Sequence, residues 1–164
     1  MPRCVDLLES HSVLAARLQD HLEAVVLGDL DTARRHFRSF AALLHAHSTA
    51  EDEILLPAFA SAGLETLGCT VALLEKEHAK LRRLCKDATA RVEGEGVTLD
   101  APTRVAWVQA IHMLQEVLEH HDERERAAFN PAFDAHLPSM KVAELSARAS
   151  AREAELERQY AAGS

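Results

Sequence analysis

The chain has 164 residues, is 48% hydrophobic and carries only six glycines and five prolines. It is long enough for one domain with a proper core, too apolar for a disordered chain and too poor in breakers for a many-stranded β fold. A formal charge of −8 argues against nucleic acid as a partner, because phosphate binding needs a basic face.

A first helix is predicted from about Val5 to Leu27, with Leu7, Leu8, Leu14, Leu18, Leu22 and Val25 on one apolar stripe and Gly28 suited to its stop. Asp31 then caps a second helix that carries Phe37, Phe40, Leu44, Ile54 and Leu55 to near Gly63. Pro57 should bend it, since proline removes a backbone donor. A third helix spans roughly Glu65 to Val92, with Val71, Leu74, Leu81 and Cys85 on one side, and EGEGVTLD follows as a loop. Asp100 and Pro102 open a fourth helix from about Ala101 into the 130s, striped by Trp107, Ile111, Leu114 and Leu118. After Pro138, Ser139 can cap a charged last helix to about Ala161. Its apolar positions Val142, Leu145, Leu156 and Tyr160 are sparse, suiting the outside of the domain, a protein partner or a second copy. The expected fold is all-α: an up-down-up-down four-helix bundle over residues 1–137 with an additional C-terminal helix over residues 138–164.

No run approaches the ~18 apolar residues of a membrane span, and MPRCVDLLESH lacks the apolar centre of a signal peptide, so a cytoplasmic protein off the membrane is expected. Cys4, Cys69 and Cys85 are odd in number, without CxxC spacing, and read as reduced thiols, Cys85 as core filling.

Histidine is the unusual component, at ten residues. HSTAEDEILLPAF from His47 and HDERERAAFNPAF from His121 share one plan: His, Glu four residues on, and Pro-Ala-Phe after ten. Residues four apart share a helix face, and both pairs continue the apolar stripes, His47 three after Leu44 and His121 three after Leu118. Glu51 and Glu125 therefore point into the core, where an uncompensated carboxylate costs several kcal/mol. No Lys or Arg stands on those stripes, so a metal is the leading compensation. His78, four after Leu74 and three before Leu81, faces inward on the third helix. Helix one offers His11 and His21. His47 lies about eighteen residues past the turn near residue 29, roughly 27 Å at ~1.5 Å per residue; His11 lies as far before that turn and His21 only about eight. His11, His47, Glu51, His78, His121 and Glu125 thus form one candidate layer. His21, His36, His45, His112 and His136 read as surface or partly buried. His120, five before Glu125, competes with His121, and the shared ten-residue offset to Pro131 favours His121.

LLESH, HSTAEDEILLP, LLEKEH and HDERERAAFNP together resemble the hemerythrin-like, or HHE cation-binding, family, over residues from about 5 to 136 and without the last helix. The resemblance implies a non-haem di-iron centre, oxo- or hydroxo-bridged, with Glu51 and Glu125 bridging and the four histidines as terminal ligands; manganese is compatible with the donors. Oxygen-carrying hemerythrins have a second third-helix histidine four residues from the first, where this chain has Leu74 and Arg82. They also place an acid five residues after the last histidine, where this chain keeps four. The four-His, two-Glu set is similar to that of iron–sulfur cluster repair proteins and of the hemerythrin domain of an iron-sensing F-box protein, without their accompanying domains. Five donors per iron leave an open position on each. That implies a centre that reacts with a small oxidant (oxygen, hydrogen peroxide or nitric oxide), or an iron-sensing, storage or delivery module.

Overall fold

A computed structural model describes residues 6–163, with side chains from residue 9 onward. Cys4 and Val5, and the side chains of Leu7 and Leu8, lie outside that description. The described residues are mostly helical, without strands: α1 (Asp6–Leu27), α2 (Leu30–Ala50), α3 (Leu56–Ser61), α4 (Val71–Val92), α5 (Ala101–Arg124), α6 (Asn130–His136) and α7 (Ser139–Ala162). One π-helical turn, Glu51–Leu55, joins α2 to α3, and another, Glu125–Phe129, joins α5 to α6. The bundle is formed by α1, α2 with α3, α4, and α5 with α6, and α7 lies against α2 with lesser contacts to α1, α6 and the first π turn. Among the described residues no helix is long and apolar enough to cross a membrane.

Local chemistry sets the boundaries. α1 ends in a Schellman motif: Asp29 N–H donates to the Ala24 carbonyl and Gly28 N–H to that of Val25, while Gly28 takes φ 80°, which suits a residue without Cβ. Asp29, not Asp31, caps α2, its carboxylate accepting from Thr32 N–H at 3.0 Å; Asp31 sits in the first turn. α4 starts at Val71 rather than near Glu65, because Thr70 is extended and accepts from Leu73 N–H; Glu65 accepts from Val71 N–H. Asp100 caps α5 as expected. Ser139 begins α7 but makes no capping bond, Pro138 being the residue before the helix.

The expected bend at Pro57 takes a specific form. Proline cannot bond to the carbonyl four residues back, and its ring presses on it. Here the turn before each proline widens: Leu56 N–H donates to the Glu51 carbonyl and Asn130 N–H to that of Glu125, a five-residue bond in both helices. The widening also serves packing. His47, Glu51, Leu55 and Phe59 repeat every four residues, as do His121, Glu125, Phe129 and Phe133, and all eight are buried. At 3.6 residues per turn each step of four drifts about 40°, so three steps would carry the phenylalanine off the core face. The π turn cancels the drift.

The core has two parts. One, around Leu14, Leu18, Phe37, Phe40, Leu44, Leu81, Ile111 and Leu118, fills the end near the α1–α2 turn. The other, around Leu55, Phe59, Leu74, Phe129, Phe133, Val142 and Leu145, fills the opposite end and includes α7. Burying each such Leu or Phe is worth about 1.5–3 kcal/mol. Chain order shows what separates them: Leu44 and Leu55 flank His47 and Glu51, Leu74 and Leu81 flank His78, and Leu118 and Phe129 flank His121 and Glu125.

Candidate metal centre

His11, His47, Glu51, His78, His121 and Glu125 meet in that layer, each 3% exposed or less. Two imidazole pairs face each other. His11 Nε2 is 2.9 Å from His47 Nε2, and His78 Nε2 is 3.3 Å from His121 Nε2. Each glutamate reaches both pairs. Glu51 Oε1 is 3.5 Å from His47 and its Oε2 is 3.1 Å from His78; Glu125 Oε1 is 3.0 Å from His121 and its Oε2 is 3.5 Å from His11. Two sets of possible donors result, His11, His47, His121, Glu125 and Glu51, His78, His121, Glu125.

The outward nitrogens show why every Nε2 points inward, and sequence reasoning missed the residues responsible. His47 Nδ1 donates to Glu153 Oε2 at 2.8 Å, His78 Nδ1 to Asp52 Oδ1 at 2.6 Å and His121 Nδ1 to Glu77 Oε2 at 3.2 Å. Asp122 Oδ1 is 3.0 Å from His11 Nδ1 but off the hydrogen-bond angle, an ion-pair contact more than a formed bond. A carboxylate at Nδ1 fixes the tautomer and leaves Nε2 a lone pair, the arrangement that supports metal-bound imidazoles. Arginines hold three of these acids: Arg82 on Asp52 at 2.8 Å, Arg124 on Glu77 at 3.0 Å and Arg126 on Asp122 at 2.8 Å.

Nitrogens converging at 2.9 and 3.3 Å cannot both present lone pairs to each other, so a proton or a cation must lie between them. Glu51 Oε2 and both oxygens of Glu125 are buried and accept no hydrogen bond. Without an ion the layer resorts to protons. Burial and the nearby Glu125 charge push the Glu51 carboxyl well above its usual range. Burial opposes charge on His121, but Glu125, Glu77 and Glu51 outweigh it and hold its pKa up to about 10. Burial would raise Glu125 too, yet His121, His11 and His47 hold it far below the usual carboxylate range. Burial lowers His47, which stays neutral near pH 7. The donors thus fit a cation-binding centre: hard oxygens and imidazoles, with no thiolate among them. The described cysteines are elsewhere; Cys85 is core filling, its thiol pushed by burial up to about 12.

The remaining histidines divide as read, with one correction. The side chain of His120 is 78% exposed and pairs with Glu123, while His121 lies in the layer. His112 and His136 are exposed, and His36 and His45 partly so. His21, expected at or near the surface, is fully buried: its Nδ1–H donates to the Ala33 carbonyl at 2.8 Å and its ring lies against Phe37 and Trp107. Burial lowers its pKa and keeps it neutral. The stripe Leu14, Leu18, His21, Val25 carried that signal.

No curated protein and no solved structure matches the chain. The family model of the hemerythrin HHE cation binding domain matches residues 5–156, so the match runs on into α7, further than the 5–136 span of the sequence resemblance. With the family model covering nearly the whole chain and a His/Glu layer fit for cations at its centre, the chain belongs to the hemerythrin HHE cation-binding family.

Proposed function

We propose that His11, His47, Glu51, His78, His121 and Glu125 hold two iron ions, and that the protein binds or reacts with a small oxidant: oxygen, hydrogen peroxide or nitric oxide. The observation that carries this is the pairing of the inward nitrogens, His11 with His47 and His78 with His121, each glutamate turning one oxygen to either pair. Iron bound there would supply one-electron redox chemistry and room in its coordination sphere for a small ligand. The chain does the rest. The outer carboxylates aim the imidazoles, and the apolar clusters on either side keep bulk water from the layer.

Size supports a small reactant. A crevice of about 50 Å³ between α1 and α5 reaches His11, walled by Ala15, Leu18 and Leu118 with Gln115, Glu119 and Asp122. Pockets for organic ligands run to roughly 300 Å³ or more. Anaerobic, reduced, metal-loaded protein mixed in turn with oxygen, peroxide and nitric oxide should develop visible charge-transfer absorption with at least one of them. A featureless response to all three at full iron content refutes the oxidant reading, and elemental analysis separates iron from manganese.

The unpartnered oxygens of Glu51 and Glu125 favour a second reading, iron sensing, storage or delivery without turnover, in which metal occupancy controls the fold.

A further inference from the structure

The outer carboxylates run in one direction around the bundle. Asp52 follows Glu51 on the first π turn, at the end of α2, and holds His78 of α4; Glu77 on α4 precedes His78 and holds His121 of α5. Asp122 on α5 follows His121 and faces His11 of α1. Each of these three helices turns an acid beside its own candidate ligand toward the next helix's imidazole. The ring requires α1 to do the same for His47, but the residues flanking His11 are Ser10 and Ser12. Ser10 is buried and donates its hydroxyl to Glu153 Oε1 at 2.7 Å, and Glu153 Oε2 takes the His47 Nδ1–H. Glu153 belongs to α7. The C-terminal helix therefore closes a ring that the four bundle helices leave open.

We propose that Glu153 is a positioning residue for the metal centre and that it links the docking of α7 to metal occupancy. The inference rests on the metal reading of the layer and adds which element of the chain responds to it. Two partly exposed ion pairs also hold α7, Arg152 to Glu53 at 2.7 Å and Glu157 to Arg17 at 2.6 Å, but neither touches a candidate ligand. Glu153 differs from the other outer acids, whose hydrogen bonds and ion pairs join bundle helices and their π turns. His47, if it held a metal, would bind Glu153 more strongly through its Nδ1–H and so tighten α7; by reciprocity a docked α7 would tighten the metal.

The test uses the full chain. Ferrous iron affinity is measured anaerobically against a chromophoric chelator for wild type, Glu153→Ala, Glu153→Gln and Arg152→Ala. Hydrogen exchange of α7 is followed in iron-loaded and chelator-stripped protein. Removing a carboxylate behind a ligating histidine costs roughly 10–100-fold in affinity, which is expected for Glu153→Ala. Glu153→Gln keeps an acceptor for the His47 N–H and should recover most of it. Arg152→Ala removes a partly exposed α7 contact and leaves Glu153 on His47, so its loss should fall well short of that in Glu153→Ala. Iron should slow α7 exchange in wild type and not in Glu153→Ala. Wild-type affinity in Glu153→Ala, or equal losses in it and Arg152→Ala, overturns the proposal. Should Glu153→Ala fail to fold, wild type alone decides: α7 exchange indifferent to iron refutes the linkage. A wild type that takes up no iron refutes instead the metal reading beneath it.

Discussion

Stripping the metal should cost this fold much of its stability, increasingly as pH rises. Glu51 Oε2 and Glu125 Oε2 are buried without hydrogen-bond partners, while Glu125 Oε1 lies 3.0 Å from His121 Nε2 and pairs with it once His121 is charged. An unsatisfied buried group costs about 1–3 kcal/mol, so the two amount to ~2–6 kcal/mol that a bound cation would relieve. At the middle of that range, about 4 kcal/mol, and with ~2–4 °C per kcal/mol for a chain of this length, chelation should lower the melting temperature by roughly 8–16 °C. The pH direction follows from the same groups. Glu51 is raised, so the metal-free fold keeps a proton there that the unfolded chain has released above its ordinary pKa of 4.5, and stability falls as pH climbs beyond it. His121, up to about 10, stabilises the metal-free fold fully below about 6.5, and that contribution is lost as pH rises through about 10. Glu125, held low, stays ionised above pH 5 and adds no slope there. Metal displaces protons from its ligands, so the loaded protein lacks these dependences. Calorimetry of loaded and stripped protein from about pH 5.5 to 8.5 should show the gap widening with pH. Identical melting in the two forms would refute a cation in the layer, and a gap that narrows with pH would refute the assigned protons.

Two further outcomes test the layer and what seals it. His78→Ala, Glu51→Ala and His121→Ala should each lose most of the metal by elemental analysis. His112→Ala and His120→Ala, at side chains 68% and 78% exposed, should retain it; equal loss in all five would discredit the layer. Phe133→Ala removes a fully buried ring whose centroid is 5.6 Å from Phe59 and 5.2 Å from Phe129, and should cost ~3–5 kcal/mol in urea unfolding. A cost under about 1 kcal/mol would mean that these rings do not hold the far end of the core together.

Helix count, order and inner faces could be read from the chain because each follows from local periodicity. The layer could be read because depth is nearly a residue count in a bundle with short turns: equal offsets from the turn put His11 and His47 2.9 Å apart. The outer acids could not. Asp52, Glu77 and Asp122 are each one residue from a candidate ligand, about 100° around the helix, and their partners are on neighbouring helices. Their role depends on which helices are adjacent and in which hand the bundle turns, and no single segment encodes either. Glu153 was further out of reach, since α7 has a sparse stripe and its docking on α2 decides what Glu153 meets.

Other features were written in the sequence in a form that local rules obscure. A regular α-helix tolerates a period of four over only two or three positions, so HxxxE reads as a ligand pair and the apolar residues beyond it as ordinary core. Extended, the pattern is His47, Glu51, Leu55, Phe59 and His121, Glu125, Phe129, Phe133, four inward positions at strict spacing. A helix of 3.6 residues per turn cannot keep all four on one face, so the repeat demands a wider turn, and the proline six residues after each glutamate denies the narrow turn one of its bonds. The two π turns begin at Glu51 and Glu125, the carboxylates that face both imidazole pairs. Ligand spacing, helix distortion and the phenylalanine packing beyond the site are therefore consequences of one four-residue period. Shifting any member by one residue would turn either the carboxylate or the ring away from the core.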